Sequence, residues 1–259
     1  MTFLTDFGTK DGYVAQMKGV ALSITDAQLV DITHDISPQN IYEGAFALQS
    51  TVSSFPVGTV HVAVVDPGVG TERRGIIITA KDHILVGPDN GLLIPAAHNL
   101  GNFAVYEITN KEYMRQTISP TFHGRDIFTP VAAHVLEGVP FEKFGQIITD
   151  FVELDFGMAE ITDKTAIGVI LAIDHFGNVI TNIGGNEIKK VLPYGKTVTL
   201  VTGKKKQEML FLKAYNFVKK GQLLTTIGSS SLLEIGLNQG NAAQKLKVKP
   251  GDKVKIIFS

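Results

Sequence analysis

The stretch VVDPGVGTERRG, residues 64–75, carries an apolar, β-branched run into an aspartate, turns it through proline and glycine, and delivers it to two arginines. An acid placed directly after a buried strand is how open α/β sheets present side chains at the carboxyl ends of their strands, where ligand crevices form. The loop is not a phosphate cradle. Gly68-Val69-Gly70-Thr71-Glu72-Arg73-Arg74 fits neither G-x-G-x-x-G nor G-x-x-x-x-G-K-[ST], and a β-rich segment follows where those motifs need a helix. The glycines instead let the chain reverse so that Arg73 returns toward Asp66 as a charge-assisted pair. Such a pair serves equally well as a structural clamp or as part of a site.

Outward from this loop, short β-rich runs alternate with longer amphipathic stretches. Phe3–Thr5, Leu29–Ile32, Val60–Val65, Ile76–Thr79 and Ile84–Val86 read as strands; Tyr13–Ile24, Tyr42–Val52, Leu92–Ala97 and Phe128–Leu136 read as covering helices. This order predicts an α/β domain around a largely parallel sheet buried on both faces. After Asp163 the texture changes. Ile167–Ile173, Val198–Val201, Met209–Leu212, Leu223–Ile227 and Val254–Phe258 are strand-like runs separated by turn signals such as GKKK and KPGD, while helix signals fade. The pattern predicts a second, mostly β domain, a small barrel or sandwich, with the boundary near Phe156–Lys164; the division expected is 1–160 and 161–259.

Composition narrows the chemistry. The 259 residues are 44% hydrophobic with a formal net charge of −1, enough chain for two cores. The absence of cysteine excludes disulfides, thiolate zinc sites and a thiol nucleophile. With 24 basic residues against 25 acidic ones there is no global field for nucleic acid, and the lysines at 204–206 and between Lys245 and Lys255 read as solvated turns and edges. No apolar run is long enough to cross a bilayer, and MTFLTDFG enters a strand at once, so the expected location is the cytoplasm.

The remaining candidates are scattered along the chain. Asp6, like Asp66, follows an apolar strand, although either acid alone suits a turn or a helix cap. In TFHGRDIFTPVAAHVL the apolar spacing indicates a helix, with His123 and Gly124 at its first turn and His134 on its body. A histidine at that position is an accessible general base or a capping residue. AIDHFGNVITNI, residues 172–183, reads as strand, tight turn, strand, gathering Asp174, His175, Phe176, Asn178 and Asn182. Asparagine beside an aromatic also suits a purine edge and face. Ser229 to Glu234 and Gly240 to Ala243 are loops able to offer hydroxyl, carboxylate and backbone groups to a small polar ligand. The acids and histidines show no H-x-x-x-H, H-E-x-x-H or D-x-D spacing, so no metal site is expected.

Taken together, LTDFGTKDGYVAQMKG, DITHDISPQNIYEGAFAL, VVDPGVGTERR, LVGPDNGLL, TFHGRDIF and DHFGNVITNI resemble, in this order, the S-adenosyl-L-methionine hydroxide adenosyltransferases, relatives of the fluorinating and chlorinating enzymes. The resemblance implies an N-terminal α/β/α sandwich, a C-terminal antiparallel β-barrel, and a homotrimer with active sites between subunits. It also implies attack of water or hydroxide on C5′ of S-adenosyl-L-methionine, giving adenosine and L-methionine without a cofactor. The family's Asp-Arg-His triad falls on Asp66, Arg73 and His123, its ribose-binding acid on Asp6, and its amino-group ligand on Asp174. Phe176 and Asn178 match the segment that contacts adenine and methionine, and Ser230, Glu234 and Ala243 match more loosely because the surrounding loop differs in length from the halogenases. Halogenating relatives carry Tyr at Asp66, Tyr-Ser or Tyr-Gly at His123-Gly124, and an aromatic near Gln39; all three departures point to water as nucleophile.

Overall fold

The computed structural model describes residues 1–258, and the chain divides into two units, Met1–Asp155 and Phe156–Ser259. The first contains β1 (Thr2–Thr5), α1 (Tyr13–Leu22), β2 (Val30–Thr33), α2 (Ile41–Thr51), β3 (Val60–Val64), β4 (Gly75–Ala80), β5 (His83–Pro88), α3 (Ile94–Leu100), β6 (Phe103–Glu107), α4 (Thr129–Leu136) and β7 (Ile147–Ile148). The second contains β8 (Glu160–Ile161), β9 (Thr165–Ile173), β10 (Val179–Gly184), α5 (Gly185–Val191), β11 (Thr197–Thr202), β12 (Lys205–Phe211), β13 (Leu223–Ile227), β14 (Leu232–Leu237), α6 (Ala242–Leu246) and β15 (Lys253–Phe258).

In the first unit seven strands run in the order β2-β1-β3-β5-β4-β6-β7. Alternating side chains sort onto two faces. Phe3, Val62 and Val64 pack with Met17 and Ala21 of α1 and Val131 of α4, whereas Leu4 and Val65 lie against Gly44 of α2, giving the α/β/α layering. The expectation of a largely parallel sheet needs correction. β2-β1-β3-β5 is parallel, but β5-β4-β6-β7 is antiparallel. Only Lys81 and Asp82 separate β4 from β5, too few residues for the crossover that parallel pairing requires. On the parallel side, Thr5 of β1 is level with Val64 of β3, so Asp6 and Asp66 leave the sheet at the same rim.

The second unit is a seven-stranded barrel, β10-β14-β13-β12-β11-β15-β9, closed by the pairing of β9 with β10, with β8 appended to β9. Its interior is filled by Ile170, Val179, Ile183, Val198, Phe211, Leu233, Ile235 and Ile256 among others, with Ile188 of α5 and Ala242, Ala243 and Leu246 of α6. Burying each large side chain contributes about 1.5–3 kcal/mol. The barrel is antiparallel except where β12 meets β13, a parallel pair. The ten-odd residues between those strands cross over rather than turn back, which the sequence pattern did not reveal. The pattern also marks neither the two short helices nor β14, whose first residues fall where it predicts a loop. No described helix is long and apolar enough to cross a membrane.

Candidate active site

In the first unit the loop after β3 folds back as a tight turn, with Val69 N donating to Asp66 O and the Thr71 hydroxyl donating to Gly68 O at 2.7 Å. Gly70, at φ +80°, leaves the space into which Pro120 O projects; a Cβ there would lie 2.3 Å from that oxygen. The arginine loop is thereby seated on the segment leading to His123. Arg73 grips Asp66 with a fork, Nε to Oδ1 at 3.1 Å and Nη2 to Oδ2 at 2.6 Å. Both side chains are under a tenth exposed, so the pair is held in a poorly hydrated pocket where it is strong. The Arg73 guanidinium lies 5.2 Å from the centre of the Phe128 ring, and its Nη1 donates to Arg74 O.

The third member arrives from fifty residues away. Nη2 of Arg73 also stands 3.0 Å from Nδ1 of His123. Guanidinium nitrogens only donate, so Nδ1 must accept and the imidazole is neutral with its proton on Nε2. The surroundings agree: burial and then the charge of Arg73 depress the His123 pKa below its ordinary value, against smaller opposing contributions from Asp66 and Asp126. His123 opens a π-turn, Gly124–Phe128, that runs into α4 and is braced by the Thr129 hydroxyl on Gly124 O. Such wide turns inside helices recur at functional sites. Asp126 in this turn is fully buried and accepts from Arg125 Nε and Nη2, Ser119 N and Arg115 Nη1. Burial alone would raise its pKa, but these donors outweigh it and hold the carboxyl below the usual range. Asp6 accepts from Gln39 N at 2.7 Å, and Gln39 sits in the left-handed region at φ +64°.

In the second unit the β9–β10 turn is closed by Asp174, whose two oxygens accept from Asn178 N at 2.8 Å and Asn178 Nδ2 at 2.9 Å. Asn178 Nδ2 reaches the Tyr215 hydroxyl at 3.5 Å, and that hydroxyl donates to Glu234. These groups line a cavity of about 870 Å³ together with Phe176, Lys213, Thr226, Ser229 and Asn241. Phe176 is 74% exposed, an aromatic face left open at the mouth of the turn. Glu234 is buried, and burial together with the charge of Asp174 pushes its pKa up despite the hydrogen bond from Tyr215. Gly236 is required beside it: a Cβ there would lie 2.6 Å from the Tyr215 ring.

Three expected residues are placed elsewhere. Ser230 is half-buried outside the cavity lining, where Ser229 stands instead. Ala243 packs in the barrel core and braces the hairpin turn through its N–H to Gly177 O. Asn182, drawn into the turn by the sequence reading, instead bonds Val169 N, Phe156 O and Gly157 O. Among the described residues no three His, Asp or Glu side chains gather as metal ligands.

Residues 1–145 match the family model for the SAM hydroxide adenosyltransferase N-terminal domain, and residues 168–255 match that for its C-terminal domain. The chain belongs to this family. A protein of Methanocaldococcus jannaschii named (R)-S-adenosyl-L-methionine hydrolase is 38% identical, the match covering 100% of this chain and 95% of that one. A fluorinase of Actinopolyspora mzabensis is 28% identical over 100% of this chain and 97% of its own. The crystal structure of an uncharacterized conserved protein from Thermotoga maritima superposes with a TM-score of 0.95 at 38% identity, covering 99% of each chain.

In this hydroxide adenosyltransferase the cavity draws on Asn241, within the segment Gly240 to Ala243 that the sequence offers to a small polar ligand, and on two residues that sequence reasoning misses, Tyr215 and Thr226. For Thr226 a signal existed. Alternation along Leu223–Ile227 and Leu232–Leu237 puts Thr226 and Glu234 opposite one another on a single face. Tyr215 lies in a short connecting turn with no pattern to mark it.

Proposed function

We propose that the protein hydrolyses S-adenosyl-L-methionine at ribose C5′, releasing adenosine and L-methionine. The observation that carries this reading is the junction at Arg73 Nη2, which ties Asp66 and His123 into one cluster. The cluster suits activation of one water molecule. Each Asp66 oxygen keeps a lone pair beyond its bond to Arg73, and His123 presents an Nε2–H. Water then donates a proton toward Asp66 while its oxygen accepts from His123 Nε2–H. As the C5′–O bond forms, the C5′–S bond breaks, the sulfonium leaves as the neutral thioether of methionine, and the proton passes through Asp66 to solvent.

The leaving group is already cationic and needs no protonation, so catalytic effort falls on the nucleophile. A positioned base contributes ~10²- to 10⁴-fold, and orientation of the water in line with the C5′–S bond draws on the ~7–11 kcal/mol available from proximity. Charge is neutralised as hydroxide character meets a sulfonium, which favours a poorly hydrated pocket such as that of Asp66 and Arg73.

Asp6 is proposed to hold the ribose, and Asp174, Phe176, Asn178 and Glu234 the adenine and amino-acid parts; the cavity geometry supports Ser229 ahead of Ser230, with Ala243 supporting the turn. Neither metal nor redox cofactor enters the scheme. A homotrimer with sites completed between subunits, acting in the cytoplasm, belongs to the same proposal. Incubation with the R and S sulfonium epimers in EDTA, followed by chromatography, is expected to give equal amounts of adenosine and methionine from the R epimer; no adenosine above a heat-killed control contradicts the reading. Mixing Asp66→Asn subunits with Asp174→Asn subunits is expected to restore part of the activity if sites are shared.

A further inference from the structure

We propose that Asp89 and Asn90, in the turn between β5 and α3, are positioning residues for the reaction: without touching the reacting atoms, they hold the two peptide groups from which Asp66 and Arg73 are aimed. The inference rests on the function proposed above. Both residues lie in the stretch LVGPDNGLL, which contributes no side chain to the cluster of Asp66, Arg73 and His123. The parallel register of β3 with β5 runs as far as Val62 opposite Val86. Beyond it, Asn90 Nδ2 donates at 2.9 Å to Val65 O, the carbonyl of the peptide that joins Val65 to Asp66. Leu92 N donates to Asn90 Oδ1, which fixes the orientation of the amide, since a flipped amide would lose both bonds. Gly87 allows the close approach of the two strands: a Cβ there would lie 2.3 Å from Ala63 O.

The adjoining Asp89 serves the other partner. Its N–H donates to Arg74 O at 2.9 Å, and the same oxygen accepts from Arg73 Nη1 at 2.7 Å. Its carboxylate, 2% exposed, accepts from Arg74 Nε and Nη2 through Oδ2 and from Val152 N through Oδ1. Arg74 is thus held by backbone and side chain alike, and its carbonyl stays turned toward the Arg73 guanidinium. A buried carbonyl needs a donor wherever it lies. That need alone does not account for two consecutive residues bonding the peptide that enters Asp66 and the carbonyl that grips Arg73. Fixing both sides of the fork from one turn does, because the Arg73 Nη2 bond to His123 survives only if neither side shifts, and small misplacements near the chemistry are costly. The outer contact of Arg74, from Nη1 to the exposed Asp150, leaves that carbonyl untouched.

In the full-length protein, Asn90→Ala and Asp89→Ala are each expected to lower kcat for S-adenosyl-L-methionine by about tenfold or more while KM stays within about twofold. Asp150→Ala, which removes only the outer contact of Arg74, should leave kcat unchanged. The nitrogen NMR shifts of the His123 imidazole give a readout that lost stability alone would not move. Wild type should carry the proton on Nε2, and both turn variants should show a mixture of tautomers, because Arg73 Nη2 no longer holds Nδ1 as an acceptor. Should Asn90→Ala not fold, Asn90→Ser keeps an oxygen for Leu92 N, removes the amide on Val65 O and carries the same expectation. Unchanged kcat in the folded turn variants overturns the proposal, as does a loss of kcat with the tautomer intact or one matched by Asp150→Ala. If the wild type forms no adenosine, the hydrolase reading fails separately, and the His123 shifts in the same variants still decide the role of the turn: a fixed tautomer in both overturns it.

Discussion

One nitrogen, Nη2 of Arg73, stands 2.6 Å from Asp66 Oδ2 and 3.0 Å from His123 Nδ1. Because it can only donate, it assigns both partners the role of acceptor and leaves the imidazole with its proton on the far nitrogen. In the mechanism proposed above, Asp66 therefore accepts the proton of water and His123 holds the oxygen.

That assignment separates two substitutions at His123. Glutamine places an N–H donor near the Nε2 position, whereas alanine places none. His123→Gln is therefore expected to retain at least about tenfold more kcat than His123→Ala. Equal loss in both would make the histidine the base. The acid limb of kcat/KM that reports His123 should lie below pH 6.5, since burial and Arg73 depress its pKa and protonation would set a second donor against Arg73.

Asp66→Asn preserves shape but cannot take the proton, and kcat is expected to fall by ~10²- to 10⁴-fold with binding of adenosine retained. Arg73→Lys removes the fork that fixes both partners and should lower kcat by a comparable factor without rescue by pH. Near wild-type turnover in either variant would reduce the loop to a clamp.

Asp126 anchors the turn that carries His123. Replacing this fully buried carboxylate by alanine leaves the Ser119 N–H and the solvent-reaching Arg115 and Arg125 without their acceptor and is expected to cost about 1–3 kcal/mol of stability. Urea denaturation measures it; a loss under about 1 kcal/mol would show that the turn is held by other contacts.

A second buried histidine predicts acid sensitivity. His61 bonds Thr2 Oγ1 and His83 Nδ1, and burial, with the charges of His83 and the N-terminus, depresses its pKa to about 3. Below 6.5 the unfolded chain binds a proton that the native state refuses, so stability is complete above that pH and falls as pH drops toward the native pKa. The slope contributed approaches about 1.4 kcal/mol per pH unit. Comparing wild type with His61→Gln between pH 6.5 and 5, where carboxylates stay ionised, should show a shallower loss in the variant; identical slopes would contradict this.

The two-unit α/β and barrel architecture was legible because period and run length survive in sequence. The return of Arg73 to Asp66 was legible too, from the glycines between them. The orientation of β4 was not, since an apolar strand buried on both faces reads the same in either direction. β14 was hidden because Glu234 and Gly236 interrupt its apolar pattern, both there for the cavity rather than for the strand. His123 was visible as a candidate, but its tautomer depended on a contact fifty residues away.

The proposed reaction is attack by an oriented water on the sugar carbon. Turnover of S-adenosyl-L-methionine in water labelled with heavy oxygen tests it most directly, with the products resolved by mass spectrometry. Label is expected in the 5′-hydroxyl of adenosine and not in methionine; label in an amino-acid product, or no labelled adenosine at all, would rule out attack at C5′.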